Sequence, residues 1–168
     1  VATPISFVAA VGPDGHVIAR DPGEDRTAPD TMAGMDLRAL TPVRTVLDTG
    51  VEATGIVDFP GFTPLDPTVP VILFAVPAMH HGERLGTIIA GIPLWREAQR
   101  LSRQLQADSG SDGSVRWVYL YRGDELAHHG TPAELDDVIP DRSERAIGLE
   151  ASPGGYTHGL MQHGRWFA

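Results

Sequence analysis

The chain has 168 residues and contains no Cys, no Lys and no Asn; its 13 basic residues are all Arg, and 22 acidic residues bring the net charge to −9. Without Cys there is no thiol nucleophile, disulfide, iron–sulfur ligation or covalent haem attachment, and without Lys there is no Schiff-base catalyst, P-loop lysine or lysine base of a Ser/Lys hydrolase. The acidic balance argues against a nucleic-acid surface, which needs a basic patch.

Residues 5–20 carry a hairpin signature. Two apolar runs rich in β-formers flank Pro13-Asp14-Gly15, where Pro presets φ and Gly accepts a positive one. Asp21 to Ala33 is rich in Pro, Asp, Glu and Gly, lacks periodicity and reads as a loop; Gly34 to Leu37 begins a short ordered turn. Thr41-Pro42 supplies a cap and a Pro at the first helical position, which predicts a helix over Val43 to Thr49 ended by Gly50. Strands follow at Val51 to Phe59, Val69 to Met79 and Arg84 to Ile92, the last two joined by a His80-His81-Gly82-Glu83 turn. From Pro93 the pattern is helical, with Leu94, Ala98, Leu101 and Leu105 on one face to pack on a neighbour, and Arg96, Arg100 and Arg103 on a solvated one.

Asp108 to Gly113 is a linker by composition. Beyond it, Val115 to Gly130 repeats the opening hairpin in weaker form, Thr131-Pro132 starts a second short helix ending near Pro140, and strands return around Tyr156 to Met161 and Arg165 to Ala168. The expected organisation is a sensing module over residues 1–107, a linker over 108–113 and an incomplete related module over 114–168. The longest apolar run, Val69 to Met79, is broken by Pro70 and Pro77 and falls far short of the ~20 residues a spanning helix needs. No signal peptide opens the chain and Val1 is not a natural start, so it is expected to be a soluble part of something longer.

The order of hairpin, variable loop, short helix ending in Thr-Gly and three strands resembles the Cache family of extracytoplasmic PAS-like sensors. The residues that carry the resemblance are Ala9 to Ala19, Gly34 to Leu37, Val46 to Gly50, Phe74 to Pro77 and Gly86 to Ile92. The resemblance implies an α+β fold: a PAS-like antiparallel five-stranded sheet with helices on one face, then a second, smaller PAS-like module. It also implies a pocket between one face of the sheet and the loop-helix segment crossing it, and membrane anchoring outside this chain. Further, it implies the periplasmic or extracellular face of a bacterial inner membrane and output to a histidine kinase, chemoreceptor or cyclic-nucleotide enzyme. Amino-acid-binding members place an Arg and aromatic residues around the helix Pro and an acid at the end of the fifth strand; here those positions hold Leu40, Val43 and Gly91, so an ammonium-and-carboxylate clamp is not expected.

A small-molecule pocket needs apolar walls and a few convergent polar groups. Phe59, Phe74, Val76 and Ile89 are the candidate walls, and Arg38 or Arg44 the anchor for a small carboxylate, since guanidinium offers it a planar fork. Thr54 and Asp58 lie at an even offset on one strand and share a face. The alternatives are an interaction or dimerisation module without a ligand, including a homodimer, and a metal or haem sensor built from His80-His81, His128-His129, His158 and His163. Adjacent histidines on a strand point to opposite faces, so no metal or other cofactor is expected. Nor is catalysis: no Gly-x-Ser-x-Gly elbow, dinucleotide fingerprint or P-loop occurs.

Overall fold

Alternation in the opening segment makes a strand with one inward face: in β1 (Phe7–Val11), Phe7, Ala9 and Val11 are buried while Val8 and Ala10 are half-buried. The computed structural model describes residues 7–21, 32–63, 66–108, 118–122, 125–127, 160–162 and 165–167. β1 turns into β2 (Val17–Arg20) through Pro13-Asp14-Gly15, with Gly15 at φ +88 as the sequence requires. Asp14 closes the turn by accepting the His16 backbone N–H at 3.1 Å, and this bond holds its carboxyl below the usual carboxylate range.

Residues 32–37 run along the outer edge of β2. The Val17 N–H donates to the Met35 carbonyl at 2.9 Å, and the Leu37 N–H to that of Gly15 at 2.9 Å. Next comes α1 (Thr41–Thr49), then β3 (Ala53–Thr63), β4 (Asp66–His80) and β5 (Glu83–Pro93). The five strands form one antiparallel sheet in the order β2-β1-β5-β4-β3, the PAS-like arrangement the resemblance implies. The class is α+β.

α1 crosses one face of this sheet over β3, β4 and β5. Beneath it Val43, Val46 and Leu47 meet Leu73 and Ile89, and Met32 and Leu37 from the preceding segment complete the core. The sheet curls toward this helix. In a flat sheet β1 and β3 stand three strand spacings, about 14 Å, apart; here the Phe7 and Phe59 rings touch at 4.8 Å between centroids. The Phe7 ring passes over Gly91 to get there, and a Cβ at Gly91 would overlap it.

α2 (Leu94–Asp108) leaves the end of β5 and packs on β4, β5 and a hairpin of β6 (Leu120–Arg122) and β7 (Glu125–Ala127). Its buried positions are Leu94, Ala98 and Ser102. The expected apolar stripe thus holds for its first two members, but Leu101 is half-buried and Leu105 is 40% exposed. The face is turned by Ser102, which has a polar partner across the contact. Arg96 and Arg103 are exposed as expected, whereas half-buried Arg100 donates to Glu97 at 2.9 Å and thereby holds the Glu97 carboxyl below its ordinary pKa.

A last hairpin pairs β8 (Leu160–Gln162) with β9 (Arg165–Phe167). Both C-terminal hairpins fall where the sequence places strands. Of the linker expected over 108–113, Asp108 is the last residue of α2, and the rest, like the helix expected from Thr131, lies outside the described residues. Among the described residues no helix is long and apolar enough to cross a membrane.

Candidate ligand-binding site

The eight residues singled out in the sequence fall on two faces of the sheet and on the segment that crosses it. Phe59 and Ile89 lie on the α1 side, completely buried in the core. Phe74 and Val76 lie on the opposite, open face, 43% and 41% exposed. A single wall cannot be built from all four, and this corrects the expected pocket lining. The reason is parity: on β4, Leu73 and Ala75 take the inward positions and force Phe74 and Val76 outward. Val43, Val46 and Leu47 are buried in one cluster with Phe59, Leu73 and Ile89.

Thr54 and Asp58 share the open face, as their even offset requires. Both are engaged in structure: the Thr54 hydroxyl donates to the Leu73 carbonyl at 3.1 Å, and Asp58 pairs with Arg122 at 2.6 Å.

Arg38 and Arg44 remain together with the amino end of α1. Thr41 was expected to cap this helix, yet it is the first helical residue; Leu40, extended at φ −71 and ψ 122, takes the cap position, and no side chain bonds there. The Leu40 carbonyl accepts the Arg44 N–H at 2.9 Å and starts the helix. Pro42 has no N–H, so the first-turn donors are those of Thr41 and Val43, which have no acceptor within the helix. No acidic residue lies in the first turn of α1, where a carboxylate would meet the positive end of the helix dipole.

Arg38 lies two residues before Leu40. Its backbone is fixed by a bond from its N–H to Asp36 Oδ1 at 2.9 Å and by its stem, which packs so close to Gly15 that a Cβ there would lie 2.7 Å from the Arg38 Cβ. Arg44 stands on the exposed side of α1. Among the described residues neither guanidinium has a hydrogen-bond or ion-pair partner. Two exposed guanidinium groups near the amino end of α1, both without a partner among the described residues, can bind a carboxylate.

One residue that sequence reasoning missed holds this helix in place. The Arg84 Nη1 donates to the Val46 carbonyl at 3.0 Å, sharing that acceptor with the Gly50 N–H at 2.8 Å. The guanidinium thus caps the negative end of α1 from β5, 38 residues away in sequence, and no local motif signals it. His80 and His81 meet in a T-shaped contact at 4.1 Å at the β4–β5 turn and are exposed; the other four candidate histidines lie outside the described residues. Among the described residues no three His, Asp or Glu side chains gather in a way that could hold a metal.

No family model matches the chain. No curated protein matches it either. Solved structures do. An extracellular ligand-binding receptor from Desulfohalobium retbaense matches 98% of this chain at 9% identity and a TM-score of 0.56, over 27% of its own length. A domain of a sensory box/GGDEF family protein from Vibrio parahaemolyticus matches 95% at 15% identity and a TM-score of 0.58, over 63% of its length. The ligand-binding domain of the Pseudomonas fluorescens chemoreceptor CtaA, solved with L-serine, matches 96% at 16% identity over 63% of its length, with a TM-score of 0.44. The chain therefore shares the fold of the first two of these structures, and it spans less than two thirds of the length of each of the three.

Proposed function

We propose that the chain is the small-molecule-sensing domain of a bacterial transmembrane receptor of the Cache type, lying on the periplasmic or extracellular face of the inner membrane. Residues 1–107 form the sensing module, 114–168 an incomplete second one, and anchoring and output (a histidine kinase, chemoreceptor or cyclic-nucleotide enzyme) belong to the rest of the receptor. The domain binds without catalysing. Its ligand is a small carboxylate, held at the amino end of α1 by Arg38, Arg44 and the N–H of exposed Thr41. The observation that carries this reading is the pair of exposed guanidinium groups, without partners among the described residues, at a helix start that no side chain caps, in a chain of net charge −9. A ligand recognised through an ammonium group is disfavoured, because Gly91 stands where amino-acid-binding members of that family place an acid.

A thermal-shift screen over carboxylates, sugars, amines and metal ions tests the class. A ligand present at a hundred times its Kd stabilises the folded state by about 2.7 kcal/mol, several degrees in Tm for a domain of this size. The expected result is a shift confined to one group of small carboxylates and abolished in the Arg38→Ala/Arg44→Ala double variant. The unliganded Tm of that variant stays nearly unchanged because both side chains are exposed. A shift from sugars or amines with carboxylates silent overturns the ligand class.

A second reading, an interaction or dimerisation module, is favoured by the open face, where Ile56, Phe74, Val76 and Ile88 are 37–52% exposed on three neighbouring strands. Silence across the whole screen together with a concentration-dependent dimer in sedimentation would favour it.

A further inference from the structure

Two elements meet β3 from opposite sides. On the α1 side the Pro42 ring lies against Gly55, where a Cβ would sit 3.5 Å from the Pro42 Cγ. Three residues further along, on the other face, Asp58 holds Arg122 of the β6–β7 hairpin at 2.6 Å. An odd offset on a strand sends the two positions to opposite faces, and three residues span about 10 Å.

The hairpin depends on such contacts. Among the described residues β6 and β7 pair only with each other, and an isolated two-stranded hairpin is at best marginally stable in water. Its entry is pinned at Ser102, a fully buried side chain on α2: the Val118 N–H donates to Ser102 Oγ at 2.9 Å, and the Ser102 hydroxyl donates to the Ala98 carbonyl at 2.8 Å. That peg uses the hydroxyl once as acceptor and once as donor. The Asp58–Arg122 pair is a further fixing point beside the packing on α2, and it ties the hairpin to β3.

We propose that β3 is a coupling strand: displacement of α1 from Gly55 shifts the strand, loosens the Asp58–Arg122 contact and so releases the β6–β7 hairpin. The device needs no ligand to be tested, so its failure and the failure of the carboxylate reading are separate results.

The experiment is native-state amide hydrogen exchange on the 168-residue chain. Gly55→Val adds two methyl groups beyond a Cβ already at contact distance from Pro42, and pushes α1 outward. It is expected to speed exchange in α1 and, roughly two- to five-fold as befits one exposed ion pair, at Leu120 to Arg122. Asp58→Asn alone speeds the hairpin by a similar factor and leaves α1 unchanged. In the Asp58→Asn background, Gly55→Val speeds α1 only. Gly55→Ala, which merely reaches contact distance, changes neither. Arg84→Met, which frees the other end of α1 without touching β3 or the hairpin, repeats the test should Gly55→Val fail to fold. The proposal is overturned if perturbing α1 leaves hairpin exchange unchanged, or if the hairpin responds equally with and without Asp58, the mark of general destabilisation.

Discussion

Gly86→Ala is expected to be among the most damaging single changes in the chain, lowering unfolding stability by about 3 kcal/mol or more in urea denaturation. Two effects combine. Gly86 sits at φ +154, a conformation side chains rarely adopt. A Cβ there would also overlap the Val11 carbonyl oxygen and lie 3.2 Å from its carbon and 3.3 Å from Gly12 Cα. These are backbone atoms of β1, so relief requires β1 to move away from β5 at the Val11–Thr87 pair, where the β1–β2 hairpin joins the rest of the sheet. Gly82→Ala is the internal comparison: its φ is +83 but nothing lies within 4 Å of the new Cβ, so only conformational strain of roughly 1 kcal/mol applies. Equal losses in the two variants would contradict the close approach of β1 to Gly86.

Phe59→Ala is the second. Truncating a fully buried Phe typically costs ~3–5 kcal/mol through lost transfer energy and the cavity left behind. Phe59 has no exposed surface and lies against Phe7, which in turn covers Gly91, so its loss undermines the contact that keeps the sheet curled over the core. Equilibrium unfolding checks this, with Phe59→Leu recovering much of the loss. A normal unfolding curve combined with weakened ligand binding would return Phe59 to the role of pocket wall that the sequence first suggested.

That reversal shows what the sequence could and could not express. The elements were legible because their boundaries are chemical: Pro13-Asp14-Gly15 makes the turn, Pro42 and Gly50 bracket α1, and His81-Gly82 separates β4 from β5. The faces were not. Val71 to Val76 is apolar at every position, so alternation cannot say whether Leu73 or Phe74 points inward; that depends on which side α1 covers. Thr41 followed by Pro reads as a cap, but the extended Leu40 already supplies the first accepting carbonyl. Leu101 outranks Ser102 in any apolar pattern, yet Ser102 is buried because Val118 brings it a partner from sixteen residues away. The Arg84 cap of α1 and the Asp58–Arg122 pair are likewise long-range meetings. By contrast Arg38 and Arg44 could be named in advance, since they flank a legible helix start.

The most direct test of the central claim is a backbone amide NMR titration of the isotope-labelled chain with the carboxylate that gives the largest thermal shift. The account predicts saturable shifts centred on Arg38 to Arg44, strongest at the exposed Thr41 amide, which has no acceptor within the helix. Shifts centred instead on Thr54, Phe74, Val76 and Ile88 would place the binding surface on the open face of the sheet and contradict it.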